Sequence, residues 1–207
     1  MADVIEIATP HGPARAHLRP TKDPVAALVL GHGAGGGVNA PDLVAATHAA
    51  GGAGVSVVLV EQPYRVAGRR SPAPARQLDA AWTAVVEQLR DRELAGLRLV
   101  VGGRSAGARV ACRTAEAAGA VAVVCLAFPL QPPGRSQAPS RIDELDAVAV
   151  PTLVVQGERD PFGIPPSAKR RKVVLVAGDH GLKADVGAVE AAVADWLDNV
   201  LARARSS

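Results

Sequence analysis

Residues 100–108 read VVGGRSAGA, and this stretch is the most informative indication of the fold in the sequence. It joins an apolar run, residues 97–101, to a helix pattern over residues 106–118, so we predict a strand, a sharp turn and a helix. Ser105 lies at the turn between Gly103 and Gly107, in a G-x-S-x-G pattern. The two glycines carry no side chain that could collide with neighbouring backbone, and such a turn projects the serine hydroxyl above the sheet. The pattern therefore marks Ser105 as a candidate nucleophile.

Outward from this turn, short apolar runs alternate with amphipathic stretches along the whole chain. Strands are predicted over residues 4–8, 14–18, 25–30, 55–60, 97–101, 121–128, 152–156 and 172–177, and helices over 41–50, 75–94, 106–118, a short stretch after Ser140 and 185–203. The first two strands would form an antiparallel hairpin, whereas strands that alternate with helices are typical of a parallel sheet. The predicted fold class is α/β, an open, mostly parallel sheet of about eight strands with helices on both faces. Residues 1–207 would form a single domain.

Composition and charge exclude several classes of protein. The 23 basic and 20 acidic residues leave a net charge of +3, and the longest basic run, residues 169–172, has few aromatic neighbours that could stack on bases, so no nucleic-acid partner is predicted. The only cysteines, Cys112 and Cys125, fit buried thiols in a reducing compartment better than a disulfide framework. We find neither a signal-peptide pattern nor an apolar run of the ~18 residues that span a bilayer. These features predict a cytoplasmic protein without a membrane partner.

Two more loops that follow predicted strands contain acidic residues and a histidine. Residues 157–161 read GERDP after the strand at 152–156, and residues 178–181 read GDHG after the strand at 172–177. A serine hydroxyl is a weak nucleophile near neutral pH and needs a base, which a third group must orient. We therefore predict His180 as the general base and Asp160 as the orienting acid. Glu158 and Asp179, which lie close by in the sequence, are the alternatives to Asp160.

A glycine-rich segment follows the strand predicted at residues 25–30. This segment, the glycine loop, spans residues 31–37, reads GHGAGGG, and resembles the H-G-G-G loop with which α/β-hydrolases bind an oxyanion. We predict the Ala34 N–H as one oxyanion donor, with Gly35 as the alternative. The second donor would be the N–H of Ala106, which follows the nucleophile at a helix N-terminus.

Together these segments resemble the small, lidless α/β-hydrolases related to dienelactone hydrolase, and most closely the group of the testis-expressed hydrolase-like proteins and the NSL-complex subunit. The resembling segments are residues 31–37, 61–64, 102–107, 128–133, 156–163 and 178–181. The resemblance implies an α/β-hydrolase fold without a large lid, the triad Ser105, Asp160 and His180, and no cofactor. The other histidines have no partners at metal-ligand spacing, so no metal is predicted either.

The predicted function is that of a serine hydrolase that cleaves an ester-like bond, a carboxylester or thioester, in a small soluble substrate. Tyr64, Phe128 and Phe162 fall near the ends of predicted strands, where they would line a substrate pocket or pack in the core. Arg104, beside the nucleophile, would bind an anionic substrate or form a structural ion pair. Nothing in these residues excludes transfer of the acyl group to an acceptor other than water.

Two functions from other classes are also compatible with parts of the sequence. Gly31, Gly33 and Gly36 satisfy the dinucleotide-binding pattern G-x-G-x-x-G, and Glu61 ends the next predicted strand. That fingerprint needs a helix directly after the glycines, where residues 35–37 and Pro41 would weaken it. The second alternative is a catalytically silent interaction module on a hydrolase scaffold, against which the complete set of Ser105, Asp160 and His180 argues.

Overall fold

The computed structural model describes residues 3–134 and 137–203 of the chain. Eight strands and six helices succeed one another in the described part: β1 (Val4–Ile7), β2 (Ala14–Arg19), β3 (Ala26–Gly31), α1 (Pro41–Gly52), β4 (Val55–Glu61), α2 (Pro63–Val66), α3 (Ala75–Asp91), β5 (Leu99–Arg104), α4 (Ala106–Thr114), β6 (Ala122–Leu126), α5 (Ile142–Asp146), β7 (Thr152–Gly157), β8 (Arg171–Val176) and α6 (Val186–Arg203). Residues 135–136 of the proline-rich stretch and both chain ends lie outside the described residues, so a single domain over residues 1–207 stays a prediction.

The strands form one sheet in the order β1-β2-β4-β3-β5-β6-β7-β8. The predicted hairpin is present, since β1 pairs antiparallel with β2, and β2 pairs antiparallel with β4. Every pairing from β4 through β3 and β5 to β8 is parallel. The prediction of an open, mostly parallel α/β sheet is therefore confirmed, and the carboxyl ends of β3, β5, β7 and β8 lie along the same edge.

Helices cover both faces of the sheet and bury two apolar layers. Along β3, Ala27 and Val29 join the layer that contains α3 and α4, whereas Leu28 and Leu30 join the layer that contains α1 and α6. Strands buried on both faces must be apolar at every position, which explains why the central runs are continuous and do not alternate. Between β6 and β7 the described residues contain only the five-residue α5, so no large lid covers the edge. None of the described helices is both long and apolar enough to cross a membrane.

Several predicted boundaries differ from those in the structure, and one difference matters for the site. β5 starts at Leu99 because the chain is still in a turn at residue 97, and it continues to Arg104, which pairs with Leu126. β6 ends at Leu126 because Ala127 has a φ of +50°, which turns the chain. α3 and α4 end earlier than predicted, and the short helix α2 was not predicted. Ser105 thus follows a strand end directly, at the carboxyl edge of the sheet.

Candidate active site

Ser105 lies in the elbow, residues 103–107, between the end of β5 and the start of α4. Its φ of +52° is in the left-handed region that favours glycine, and such backbone conformations cost about 1–3 kcal/mol. The surrounding backbone maintains this strain: the Ser105 N–H donates to the Leu126 carbonyl at 2.9 Å. A Cβ on Gly103 would lie 2.6 Å from the Gly31 carbonyl oxygen, and one on Gly107 would lie 2.6 Å from the Gly31 carbonyl carbon. The glycines of G-x-S-x-G are therefore required by the close approach of β3.

The structure brings His180 and Asp160 together with Ser105. His180 Nε2 lies 2.9 Å from Ser105 Oγ, and His180 Nδ1 lies 2.8 Å from Asp160 Oδ2. A carboxylate only accepts hydrogen bonds, so Nδ1 is the donating nitrogen and Nε2 is free to accept the serine proton. The Asp160 side chain is fully buried, and that of His180 is 17% exposed. This arrangement can deprotonate the Ser105 hydroxyl at the open edge of the sheet.

Asp160 is the acid that contacts His180, rather than either of the alternatives. Glu158 is exposed, and the Asp179 carboxylate accepts a hydrogen bond from the Gly181 N–H at 2.8 Å. The Asp160 loop and the His180 loop pass so close that a Cβ on Gly157 would lie 2.8 Å from the Asp179 carbonyl carbon. Their contact explains why residues 20 positions apart meet at the strand ends.

Gln156 supports Asp160, a role that the sequence patterns did not reveal. Its Nε2 donates to Asp160 Oδ2 at 2.8 Å, and the Phe162 N–H donates to Asp160 Oδ1 at 2.9 Å. The Gln156 side chain also bonds the Phe128 N–H and carbonyl, at 2.9 and 3.0 Å. Gln156 is fully buried, and a buried amide must find partners. A glutamine at the end of an otherwise apolar strand was the available signal.

The predicted oxyanion donors belong to the elbow and to the glycine loop, and a Cβ on Gly33 of that loop would lie 3.6 Å from Ser105 Cβ. The Ala106 N–H is in the first turn of α4, where amides have no intrahelical acceptor and the helix dipole is positive. Ala34 lies in the glycine loop, and two side chains form hydrogen bonds with carbonyl groups of this loop. Tyr64 donates its hydroxyl to the Ala34 carbonyl at 2.9 Å, and His32 Nδ1 bonds the Gly33 carbonyl at 2.8 Å. The glycine loop is therefore fixed by hydrogen bonds from outside its own backbone.

His32 holds the glycine loop as a neutral imidazole. The Gln62 N–H donates to His32 Nε2 at 3.1 Å, so Nε2 accepts while Nδ1 donates to Gly33. Burial lowers the pKa of His32 below its ordinary value, although the hydrogen bond to Gly33 acts in the opposite direction. Burial also raises the pKa of Tyr64, which keeps its hydroxyl a donor. His32 and Tyr64 are further in edge contact, with ring centroids 5.7 Å apart.

Of the four predicted substrate-contact residues, Phe162 is half-buried and packs its ring against a triad side chain. Its ring packs on the His180 imidazole with centroids 4.2 Å apart. For the other three, the surroundings favour the structural alternative that the sequence left open. Phe128 is fully buried in the core, because the turn at Ala127 directs it inward. Tyr64 is buried against the glycine loop, and Arg104 is paired with Asp42 at 2.8 Å.

The cavities around the site are small. The one beside Ala106 has a volume of about 10 Å³, and an adjoining one at Tyr64 has about 90 Å³. A cavity of about 830 Å³ lies at the opposite end of the sheet between Lys169 and Trp196. None of these three cavities is lined by Ser105 or His180.

The glycine loop does not have the geometry that a dinucleotide fingerprint needs. α1 begins at Pro41, so residues 37–40 separate the last glycine of the G-x-G-x-x-G pattern from the helix. In a dinucleotide site the pyrophosphate sits on the helix N-terminus directly after the glycines. The structure therefore disfavours this alternative.

Residues 24–204 match the family described as alpha/beta hydrolase domain, and the chain belongs to this family. Solved structures with the same fold include Est1E from Butyrivibrio proteoclasticus, with 16% identity, coverage of 96% of this chain and 99% of that chain, and a TM-score of 0.78. XC6422 from Xanthomonas campestris, described as an α/β serine hydrolase without lid, has 19% identity, 94% coverage of both chains and a TM-score of 0.72. Dienelactone hydrolase from Anabaena variabilis has 15% identity, coverage of 96% and 97%, and a TM-score of 0.74.

No curated protein matches the chain significantly. The family and the structural neighbours confirm the α/β-hydrolase fold and the likeness to lidless serine hydrolases and dienelactone hydrolase. The narrower resemblance to the testis-expressed and NSL-complex group stays a prediction.

Proposed function

We propose that this α/β-hydrolase is a serine esterase that cleaves a carboxylester or thioester of a small soluble substrate through an acyl-enzyme on Ser105. The observation that carries the proposal is the unbroken hydrogen-bond chain from Asp160 through His180 to Ser105, with steps of 2.8 and 2.9 Å. Such a chain activates a serine and keeps the histidine in the tautomer that accepts its proton.

In the proposed reaction His180 takes the Ser105 proton while Ser105 Oγ attacks the ester carbonyl carbon. The Ala106 and Ala34 N–H groups stabilise the resulting oxyanion, and Asp160 stabilises the imidazolium. His180 then returns the proton to the leaving alcohol or thiol as the carbonyl–oxygen or carbonyl–sulfur bond breaks. Water, deprotonated by His180, releases the acid and restores Ser105. The reaction uses no metal or cofactor, and we place it in the cytoplasm without a nucleic-acid or membrane partner.

The open edge and the small cavities favour short acyl groups over long lipid chains. One structural neighbour, Est1E, has been solved with ferulic acid bound, which makes a methyl ferulate ester a useful member of a substrate panel. The panel we propose contains p-nitrophenyl acetate, butyrate and octanoate, a short-chain thioester and methyl ferulate. We expect acetate or butyrate to be cleaved faster than octanoate.

The test compares wild-type turnover with that of Ser105→Ala and Asp160→Asn. We expect Ser105→Ala to fall to background, and Asp160→Asn to lose a factor on the order of 10⁴ because the imidazole adopts the wrong tautomer. A folded wild type that cleaves none of the esters would favour the silent interaction module. Turnover that appears only with an added alcohol or amine acceptor would instead indicate acyl transfer.

A further inference from the structure

Arg104 connects three parts of the site that come from distant positions in the chain. Its Nε lies 2.8 Å from Asp42 Oδ2 at the start of α1, and its Nη2 donates to the His180 carbonyl at 3.0 Å. Its Nη1 lies against the glycine loop, since a Cβ on Gly33 would approach it to 2.8 Å. A single guanidinium thus contacts α1, the glycine loop and the loop after β8.

The pair that Arg104 forms with Asp42 is buried more deeply than the pair of Arg113 with Asp79 between α3 and α4. The Asp42 side chain is 0% exposed, and that of Arg104 is 18% exposed. Burial raises the pKa of Asp42, and the charge of Arg104 opposes this rise. A buried ion pair is often no more stabilising than apolar residues of the same size, because both charges lose their hydration. Net stability is therefore a weak explanation for this pair.

The geometry provides a better explanation. Arg104 is the covalent neighbour of Ser105, and it holds the backbone of His180 through the His180 carbonyl. A short chain of contacts therefore connects nucleophile and base: Ser105 is covalently bonded to Arg104, and Arg104 is hydrogen-bonded to His180. This connection does not involve Asp160. A planar guanidinium carries its N–H donors on three nitrogens in a fixed fork, so it holds partners at defined angles, whereas the donors of an ammonium rotate about a single nitrogen. Asp42 balances its charge and fixes its orientation from the α1 side.

We propose that Arg104, oriented by Asp42, is a positioning residue that sets His180 relative to Ser105. The proposal rests on the esterase function proposed above and adds a residue that acts through His180 without touching the substrate. Of the two roles that the sequence left open for Arg104, it develops the structural ion pair and not the binding of an anionic substrate.

The main test is the double variant Arg104→Gln with Asp42→Asn, which removes both charges and leaves neither one buried alone. The matched control is Arg113→Gln with Asp79→Asn, because Arg113 donates to Asp79 at 2.6 and 2.8 Å between α3 and α4, where it bonds no residue of the triad. We expect the Arg104 double variant to lose a factor of about 10² in kcat and in the rate of fluorophosphonate labelling, because small misplacement of a base is costly. The KM of the Arg104 double variant should change by no more than about twofold. The kcat of the Arg113 control should likewise change by no more than about twofold.

The single variant Arg104→Lys separates position from charge. Lysine keeps the positive charge beside Asp42 but lacks the planar fork. We expect a loss of about tenfold in kcat, intermediate between wild type and the double variant. Wild-type kcat in Arg104→Lys would overturn the positioning role, since charge alone would then suffice.

A readout that does not depend on turnover is the low-field NMR signal of the His180 Nδ1–H, which is hydrogen-bonded to Asp160. We expect this proton to be sharp in wild type and in the Arg113 control, and broadened by exchange in the Arg104 double variant. If wild type cleaves no ester, the esterase proposal fails while the NMR comparison still tests the positioning. If wild type is active and the double variant keeps both its rate and its sharp signal, the positioning fails and the esterase proposal stands.

Discussion

The two backbone segments that would bind the oxyanion are held in place by different means. In the elbow, a Cβ on Gly103 or Gly107 would meet the backbone of β3 at 2.6 Å. In the glycine loop, a Cβ on Gly35 or Gly37 would meet nothing within 4 Å. The elbow is fixed by close backbone packing, whereas the glycine loop is fixed by hydrogen bonds from side chains such as Tyr64. Glycine in the elbow is thus a steric requirement, whereas positions 35 and 37 of the glycine loop have room for a side chain, and we expect substitutions there to leave the protein folded.

Gly107→Ala should produce the largest effect, because the added methyl group would also lie 2.8 Å from the His32 carbonyl oxygen. Only backbone atoms are in the way, so we expect a loss of about 3 kcal/mol in the free energy of unfolding, the upper end for overpacked sites. Urea denaturation measures this loss. The control is Gly51→Ala in α1, where a Cβ has nothing within 4 Å and should stabilise the helix by up to about 1 kcal/mol. Equal stabilities of the two variants would contradict the steric account.

His32, which holds the glycine loop, should make the free energy of unfolding depend on pH. Because burial lowers the pKa of His32 below 6.5, the unfolded chain binds a proton at pH values where the folded chain does not. The free energy of unfolding should therefore fall as the pH drops below 6.5 towards the folded pKa, by at most about 1.4 kcal/mol per pH unit. Urea midpoints between pH of about 7 and 5 measure the slope. His32→Gln should lack this component, whereas His48→Gln, at an exposed position, should keep it. The same pH dependence in His32→Gln and wild type would refute this prediction.

Tyr64→Phe removes the hydroxyl that holds the Ala34 carbonyl. One such hydrogen bond contributes about 1 kcal/mol to stability, and the looser loop should lower kcat by about tenfold because its oxyanion donor is less well placed. Steady-state kinetics with p-nitrophenyl acetate and thermal unfolding measure the two effects. An unchanged kcat would mean that the glycine loop needs no support from Tyr64.

Gly35→Ala should produce the smallest effect. The site has room for a methyl group, so we expect a change in stability within about 0.5 kcal/mol. Thermal unfolding of Gly35→Ala and Gly107→Ala, measured in the same experiment, gives the comparison. A loss as large as that of Gly107→Ala would show that the glycine loop is also packed tightly.

The sequence was sufficient to predict the fold and the meeting of Ser105, His180 and Asp160. Parallel strands direct their carboxyl ends to one edge of a sheet, so residues that follow those strands converge whatever the detailed packing. The apolar runs and the glycines of the elbow are local signals of that arrangement, and the structure places all three side chains within hydrogen-bonding distance.

The directions of side chains near strand ends could not be predicted in the same way. Phe128 and Tyr64 occupy positions that suited a pocket, yet the turn at Ala127 and the Ala34 carbonyl bring both into buried packing. Asp42 was missed because its partner Arg104 lies on another element, at a separation that no local pattern encodes. Gln156 lies only four residues before Asp160, and its amide at the end of an apolar strand was a local signal that the motif patterns do not include.

The most direct test of the account is mass spectrometry of the protein after treatment with a fluorophosphonate, followed by peptide mapping. The account predicts a single adduct on Ser105 that forms rapidly in wild type, forms slowly in His180→Gln and is absent from Ser105→Ala. A folded wild type without an adduct, or an adduct that persists in Ser105→Ala, would contradict the assignment of Ser105 as the nucleophile.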